Sequence, residues 1–324
     1  MVSFSVLIIT HGREELLLKC LNSLRPPIEK WQIIIVANGM PLSNEVIQKA
    51  HSLTSEVDIL NLEKQQTPGK SRNEGIKLAH YDWVYLIDDD AYVYPRYFEI
   101  ALPLLEQDRV EILGGPDSPA QDMDTFSEAL AVTLTSPFCT GKTFSRHRGE
   151  GHQMIRANEQ ILTSCNLWIR TKLLHEVKFP ENYLRTEETA LLLDLETKGV
   201  RMFYHPDLKV GHHRRKNLIS LFHPTFYGGY YRAKVLKEKI ASDSGLFWLP
   251  AMFVLMHLLV FISPAIFWTL TRIYLGLIVM MSLNLASRRK KWVLFPYITI
   301  LHYFIIFFYG LGFLSHRLGL RENR

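Results

Sequence analysis

Residues 83–90 read WVYLIDDD, five apolar or aromatic side chains followed by three adjacent aspartates. Trp83–Ile87 has the length and composition of a strand buried on both faces. Three carboxylates directly after such a strand repel one another unless cations or hydrogen-bond donors neutralise them. The residues before this stretch repeat its pattern. Phe4–Thr10 (FSVLIIT), Gln32–Ala37 (QIIIVA) and Val57–Leu62 are further continuous apolar runs, and Asn38-Gly39 closes the second with a turn signal. Helices are expected from Arg13, with Leu17, Leu21 and Leu24 on one face, from Pro68 to about Ala79, and after Pro95. Unbroken apolar strands separated by helices predict an α/β fold with a mostly parallel sheet covered on both faces. Ligands bind such sheets beyond the carboxyl ends of the strands. Thr10, Asn38 and Asp88–Asp90 all fall there.

The second half of the chain changes character. Of its 324 residues 48% are hydrophobic, and the excess lies at the C-terminal end. From residue 246 onward one acidic side chain, Glu322, stands against eight Lys and Arg, so the tail is formally +7 and the rest −2 of the total +5. The basic balance therefore belongs to the tail and gives no support to nucleic-acid binding. Leu246–Thr271 carries no charge and is long enough to cross a bilayer of roughly 30 Å. Ile273–Ala286 and Trp292–Leu314 are also apolar, separated by Arg288-Arg289-Lys290-Lys291. Pro264 and Arg272 suggest a hairpin turning near Pro264, and the positive-inside rule places residues 288–291 in the cytoplasm. His316, Arg317, Arg321 and Arg324 favour a last segment folding back along the interface over one that exits. The stretch 217–240 interleaves Phe222, Phe226, Tyr227, Tyr230 and Tyr231 with Arg232, Lys234, Lys237 and Lys239, as an interfacial amphipathic helix does. Phe4–Thr10 is too short for a signal peptide, and Cys20, Cys139 and Cys165 have no metal-ligand spacing, which fits packing residues in a reducing compartment. The expectation is a cytoplasmic N-terminal domain on a multi-pass anchor in the cell membrane. A chain ending near Asp243 should then leave the membrane fraction.

Three further clusters carry chemistry. The aspartate triplet offers hard oxygen ligands suited to Mg²⁺ or Mn²⁺, ions that also bind diphosphate oxygens. Glu187-Glu188 opens a helix expected to be capped by Thr186 and stopped by Gly199. His212-His213-Arg214-Arg215 follows a short strand expected at Leu208–Val210, and its arginines suit phosphate or an anionic membrane. Gly69-Lys70-Ser71 resembles the end of a P-loop, but Lys64 stands where the first glycine belongs. No GxGxxG follows the first strand, so a dinucleotide oxidoreductase lacks support.

The stretches SVLIITHGR, IIIVANG, GKSRNEGIKLAHYDWVYLIDDD and TEETALLLDLETKG, in this order, resemble the inverting GT-A glycosyltransferases of family 2 over roughly residues 3–240. HHRRKNLISLFHPTFYGGYY and ILHYFIIFFYGLGFL look most like membrane-bound exopolysaccharide transferases of the succinoglycan type. The resemblance implies a GT-A domain over residues 1–215, with a nucleotide-sugar half at 1–115 and an acceptor half at 116–215. An amphipathic linker at 216–244 and a transmembrane anchor of two or three segments at 245–324 would follow. It implies that Thr10, His11, Arg13, Asn38, Arg72, Asp88 and Asp89 line the nucleotide-sugar pocket. Asp90, with Asp88 and His212, would hold Mn²⁺ or Mg²⁺, His213 being the fallback. Glu188, eleven residues before Gly199, occupies the position of the family's catalytic aspartate, with Glu187 beside it. The family's usual second-strand aspartate is replaced by Ala37-Asn38, and its Pro-Thr by Ile9-Thr10, so UDP-, GDP- and dTDP-sugars all stay open as donors. Processive synthases carry QxxRW after the base; here Gln153–Arg156 is followed by Ala157 and precedes Glu188, which favours single-sugar transfer to a lipid-linked or membrane-proximal glycan. The alternative is a membrane-tethered GT-A binding protein without turnover.

Overall fold

The computed structural model describes residues 2–149, 151–239 and 244–320. The expected linker's residues 240–243 and the arginines at 321 and 324 lie outside them. In chain order the first elements are β1 (Phe4–Thr10), α1 (Glu14–Ser23), β2 (Trp31–Asn38), α2 (Asn44–His51), β3 (Glu56–Leu62) and α3 (Pro68–Ile76). Then come β4 (Trp83–Ile87), β5 (Ala91–Val93), α4 (Tyr97–Leu105), β6 (Ile112–Gly114) and β7 (Asp117–Pro119). Two apolar helices, α5 (Thr125–Leu134) and α6 (Pro137–Thr140), precede α7 (Ser145–Arg148), β8 (Ile155–Arg156), β9 (Asn166–Arg170) and α8 (Thr171–Glu176). The catalytic half ends with α9 (Glu187–Thr197), β10 (Met202–Tyr204) and β11 (Val210–His212). The tail holds α10 (Leu218–Glu238), α11 (Leu249–Met256), α12 (Leu259–Ile262), α13 (Pro264–Arg289) and α14 (Leu294–Arg317).

Two compact units divide the chain: 1–121 with 145–213, and 122–144 with 214–324. In the first, eight strands form a sheet in the order β3-β2-β1-β4-β9-β6-β10-β8. The four N-terminal strands pair in parallel, and β9 enters antiparallel between β4 and β6. Every residue of β2 and β4 is buried, as continuous apolar runs require of a sheet covered on both faces. Trp168 on β9 stacks on Tyr85 of β4 at 4.4 Å between centroids and meets Phe4 edge-on at 4.9 Å. Asn166 ties this core together: its amide donates to the Leu208 carbonyl at 2.7 Å and its oxygen accepts from the Tyr85 and Tyr97 hydroxyls. Cys20 and Cys165 are buried packing residues and Cys139 is half-buried, all three free thiols. Gly69 opens α3 where an added Cβ would meet the Pro180 carbonyl oxygen at 2.4 Å, so its glycine serves close packing.

A second sheet, β5-β11-β7, stands at the carboxyl end of β4. The short strand expected at Leu208–Val210 runs instead over Val210–His212, where Gly211 pairs with Tyr92 and His212 with Ala91. A Cβ at Gly211 would strike the Tyr92 ring at 2.3 Å, so glycine permits this register.

The second unit departs from the expected boundaries. Residues 122–144, expected in the acceptor half, cluster with the tail. Ala129, Leu130 and Val132 of α5 share a core with Leu221 of α10 and with Leu294, Ile298, Leu301 and Ile305 of α14. The expected interfacial stretch is largely one helix, α10, and Tyr231, Ala233 and Val235 on it are buried. Three segments, Gly245–Ile262, Pro264–Arg289 and Leu294–Arg317, have the length and apolarity to cross a membrane. Ser263, with φ −149° and ψ 85°, breaks the helix immediately before Pro264, where the sequence places a hairpin turn. Phe253 stacks on Tyr274 at 4.1 Å and His257 meets Phe267 at 5.9 Å, so α11 and α13 run antiparallel.

A chain cut after Lys239 loses α14 and uncovers the apolar faces of α5 and α10. Such a fragment is expected to stay insoluble or membrane-bound through high salt and carbonate, contrary to the sequence expectation for a cut near Asp243. A soluble, monodisperse fragment on gel filtration would show that those faces do not need α14.

Candidate active site

The triplet sits at the turn between β4 and β5, and each aspartate has a different surrounding. Asp89 is wholly buried; it accepts from the Thr10 hydroxyl at 2.7 Å and pairs with Arg13. Burial pushes its carboxyl up to about 6, against the pull of Arg13. Asp90 pairs with Arg13 through one oxygen and lies 3.1 Å from His212 Nε2 through the other. Asp88, half-buried, faces Arg72 at 3.4 Å; burial raises its carboxyl and Arg72 opposes the rise.

Arg72 comes from α3, whose start is set by Pro68 at N1 and by Thr67, which accepts from the Lys70 amide at 3.4 Å. Its guanidinium ion-pairs with Glu187, reaches Asp88, donates to Ser164 Oγ at 3.2 Å, and stacks over the Phe179 ring at 5.4 Å. Glu187 is 5% exposed, and burial raises its carboxyl, with Arg72 working against that rise. Glu188, 9% exposed, has Arg146 at 3.5 Å. Both glutamates begin α9, where the helix dipole favours negative charge. Thr186 does not cap that helix with its side chain. Its hydroxyl donates to the Arg185 carbonyl and its backbone is left-handed, φ 62°. A β-branched residue in that region costs on the order of 1–3 kcal/mol, and such strain clusters at functional sites.

Asp88, Asp90 and His212 bring one ligand atom each within 4.8 Å of one another. A second possible set, Asp117, Cys165 and His212, shares the histidine. That set offers a soft thiol and one carboxylate, a poorer match to a hard divalent cation than the first set. Two carboxylates and an imidazole fit a hard divalent cation. Asp117, 3% exposed, holds His212 from behind, one oxygen 3.3 Å from His212 Nδ1 and the other on His147. This is the carboxylate–histidine pairing that orients metal-binding imidazoles. His213 places its backbone N–H on the Asp90 carbonyl at 3.0 Å and its ring toward Tyr92.

Two expected pocket residues have other engagements. Asn38 donates to the Gln66 carbonyl at 3.0 Å and accepts the Gln66 amide at 2.7 Å, so its side chain pins a loop. His11 is exposed, with Nδ1 2.7 Å from the Asn38 carbonyl. Asp117, Arg146, His147 and Ser164 were not singled out from the sequence. A single aspartate in GGPDSPA and a basic SRHRG stretch carry no spacing signal that could have found them.

This pairing of a doubly wound sheet with an acidic strand end is that of a nucleotide-sugar transferase of the GT-A type. Residues 5–177, more than half of the chain, match glycosyl transferase family 2. The chain belongs to that family and is a glycosyltransferase. No curated protein matches the sequence. Among solved structures, the mannosyltransferase PcManGT from Pyrobaculum calidifontis, in complex with GDP-Man and Mn²⁺, superposes with TM-score 0.59 at 12% identity, covering 98% of this chain and 88% of that one. TarS 1–349 of S. aureus in complex with UDP-GlcNAc gives 0.51 at 15% identity, covering 98% and 92%. A longer TarS chain from S. aureus is spanned over only 42% of its length, at TM-score 0.48 and 16% identity. At these identities the likeness is one of fold.

Replacing Arg72 with Met leaves Glu187 buried without its cation, a change that typically costs about 3–5 kcal/mol. Arg72→Met is expected to lower the thermal midpoint clearly, and adding Glu187→Gln should restore part of the loss. Additive losses in the double variant would mean that the two groups do not act as a pair.

Proposed function

We propose that this enzyme transfers a single sugar, with inversion, from a nucleotide-sugar to a lipid-linked or membrane-proximal glycan acceptor, using a divalent cation. The observation that carries this reading is Arg72, which contacts both Asp88 and Glu187 and so holds the acidic strand end within one guanidinium of the glutamate pair. Asp88, Asp90 and His212 would hold Mn²⁺ or Mg²⁺, whose charge would offset that of the donor diphosphate. Thr10 and Arg13 position Asp89 and Asp90 and thereby shape the cation site. Glu188 takes the proton of the acceptor hydroxyl. That oxygen bonds to the anomeric carbon as the bond from carbon to diphosphate oxygen breaks. Glu187, occupied by Arg72, positions the guanidinium. The apolar tail supports action at the cytoplasmic face of the cell membrane, where a lipid-linked acceptor is within reach.

Detergent-purified protein screened against UDP-, GDP- and dTDP-sugars with Mn²⁺ is expected to turn over one donor class. Turnover of none, with donors bound, would favour the non-catalytic alternative. Asp90→Asn should abolish transfer, and chelation should do the same to the wild type until Mn²⁺ or Mg²⁺ is restored. Full activity in excess chelator removes the cation from the reaction.

Glu188→Gln should reduce turnover by about 10²–10⁴ with donor affinity retained, the usual range for a general base. Glu187→Gln should weaken donor binding as well as turnover, because Arg72 loses its partner. Normal turnover in Glu188→Gln beside a dead Glu187→Gln with unchanged donor affinity would move the base by one residue.

A further inference from the structure

The three long apolar segments are not covered alike. Residues within the unit bury 11% of the apolar window in Gly245–Ile262 and 17% in α13, but 44% in α14. Three helices lie along α14: α5, α10 and α11, the last antiparallel to it, with His257 Nε2 2.8 Å from the Tyr303 hydroxyl and Trp248 on Phe313 at 5.0 Å. Along the first half of α14 lies α5: Glu128 meets the Lys291 ammonium at 2.7 and 3.0 Å, and further on Ser136 Oγ lies 3.2 Å from His302 Nε2. Along the second half α10 runs parallel to α14. Phe222 packs on Phe308 at 4.9 Å and Tyr230 on His316 at 5.0 Å, both at an offset of 86 residues. A Cβ at Gly229 or Gly312 would come within 1.9 Å of the facing carbonyl oxygen, Tyr309 or Phe226, so the two backbones are in contact.

Both ends of α14 are therefore basic. Arg288, Arg289, Lys290 and Lys291 precede it. At its other end Arg317 is joined by Lys234 and Lys237 of α10, against a single Glu238, all close enough to act on His316. A crossing α14 would carry the end of α10 across the bilayer with it. The uncharged part of α10, Leu218–Tyr231, is 14 residues by sequence. At 1.5 Å per residue that spans about 21 Å, short of a hydrocarbon core of roughly 30 Å. Crossing would also put one basic cluster on each side, against the positive-inside rule.

We propose that α14 does not cross the membrane: it lies along the interface of a single leaflet, packed against α5, α10 and α11, with both basic ends on anionic headgroups. Ile300 on α14, 54% exposed, and Trp292 and Val293 just before it, face the acyl chains. The antiparallel α11–α13 pair, whose α11 also lies along α14, turns at Ser263 and returns the chain to the side from which it came. Snorkelling Lys and Arg at both ends hold the helix flat. This arrangement does not depend on the transfer reaction proposed above.

The test is sidedness in the full-length chain. Ser55→Cys marks the unit containing the large sheet, Ser287→Cys the end of α13, and Leu318→Cys the end of α14; all three positions are exposed. Each variant is made in cells and labelled with a membrane-impermeant maleimide in sealed right-side-out and inverted vesicles, the wild-type chain giving the background of its native thiols. All three cysteines are expected to react from the same side only. Labelling of Leu318→Cys from the side opposite to Ser287→Cys, or only after detergent, overturns the in-plane helix. Labelling of Ser287→Cys opposite to Ser55→Cys overturns the return of the α11–α13 pair.

Discussion

Asp89, Asp90, Glu187 and Glu188 are all buried in the unit that carries the large sheet, and each has a cation beside it, buried Arg72 or the half-buried Arg13 and Arg146. Arg13 meets Asp89 and Asp90, Arg72 stands between Asp88 and Glu187, and Arg146 approaches Glu188. Unpaired, any of these carboxylates would take up a proton or drive the fold open. Burial raises the carboxyls of Asp88, Asp89 and Glu187, and the arginines beside them pull in the opposite direction. Much else in the unit follows from that demand. The first turn of α3 must deliver Arg72, and Gly69 permits the close approach to Pro180 that lets it do so. The left-handed Thr186 aims the first turn of α9 at the same guanidinium.

What could be read along the chain was whatever depends on neighbours in sequence. The strands at Phe4–Thr10 and Trp83–Ile87, the helix start at Pro68 and the acidic triplet are local patterns, and the structure has them where the pattern puts them. His212 was reachable because the family keeps a histidine there, yet its strand was displaced by two residues. Register with Ala91 and Tyr92, and the missing Cβ of Gly211, decide that placement, and neither is a propensity. Asp117 supports His212 across 95 positions and His147 across 30, so no spacing could reveal it. Asn38 was expected in the nucleotide-sugar pocket from the family resemblance; the partner of its side chain, the Gln66 backbone, comes from a loop 28 residues on. Thr186 has the residue type of a cap but the wrong backbone angles, which sequence does not display.

The second unit was legible in kind but not in extent. Apolar length identified α13 and α14, while α5, ten residues long, is too short to stand out by length and declares its place only through Leu294, Ile298 and Leu301. Length and hydropathy describe a helix by itself; whether it crosses a membrane is decided by what packs against it and where the charges beside it end up.

That second unit is also discontinuous in the chain, which has a consequence for how the protein is made. Ala129 leaves the ribosome 165 positions before Leu294, one of the residues it packs on. At about 5–20 residues per second the apolar face of α5 waits roughly 8–33 s for its partner. Within that interval β8 to β11 must join their sheets, the chain having already left them once for α5 and α6. A face so exposed has no cover from its own unit until α10 and α14 are made. The order of emergence thus obliges α5 to keep an apolar face out of the growing sheet until the end of the chain supplies its cover.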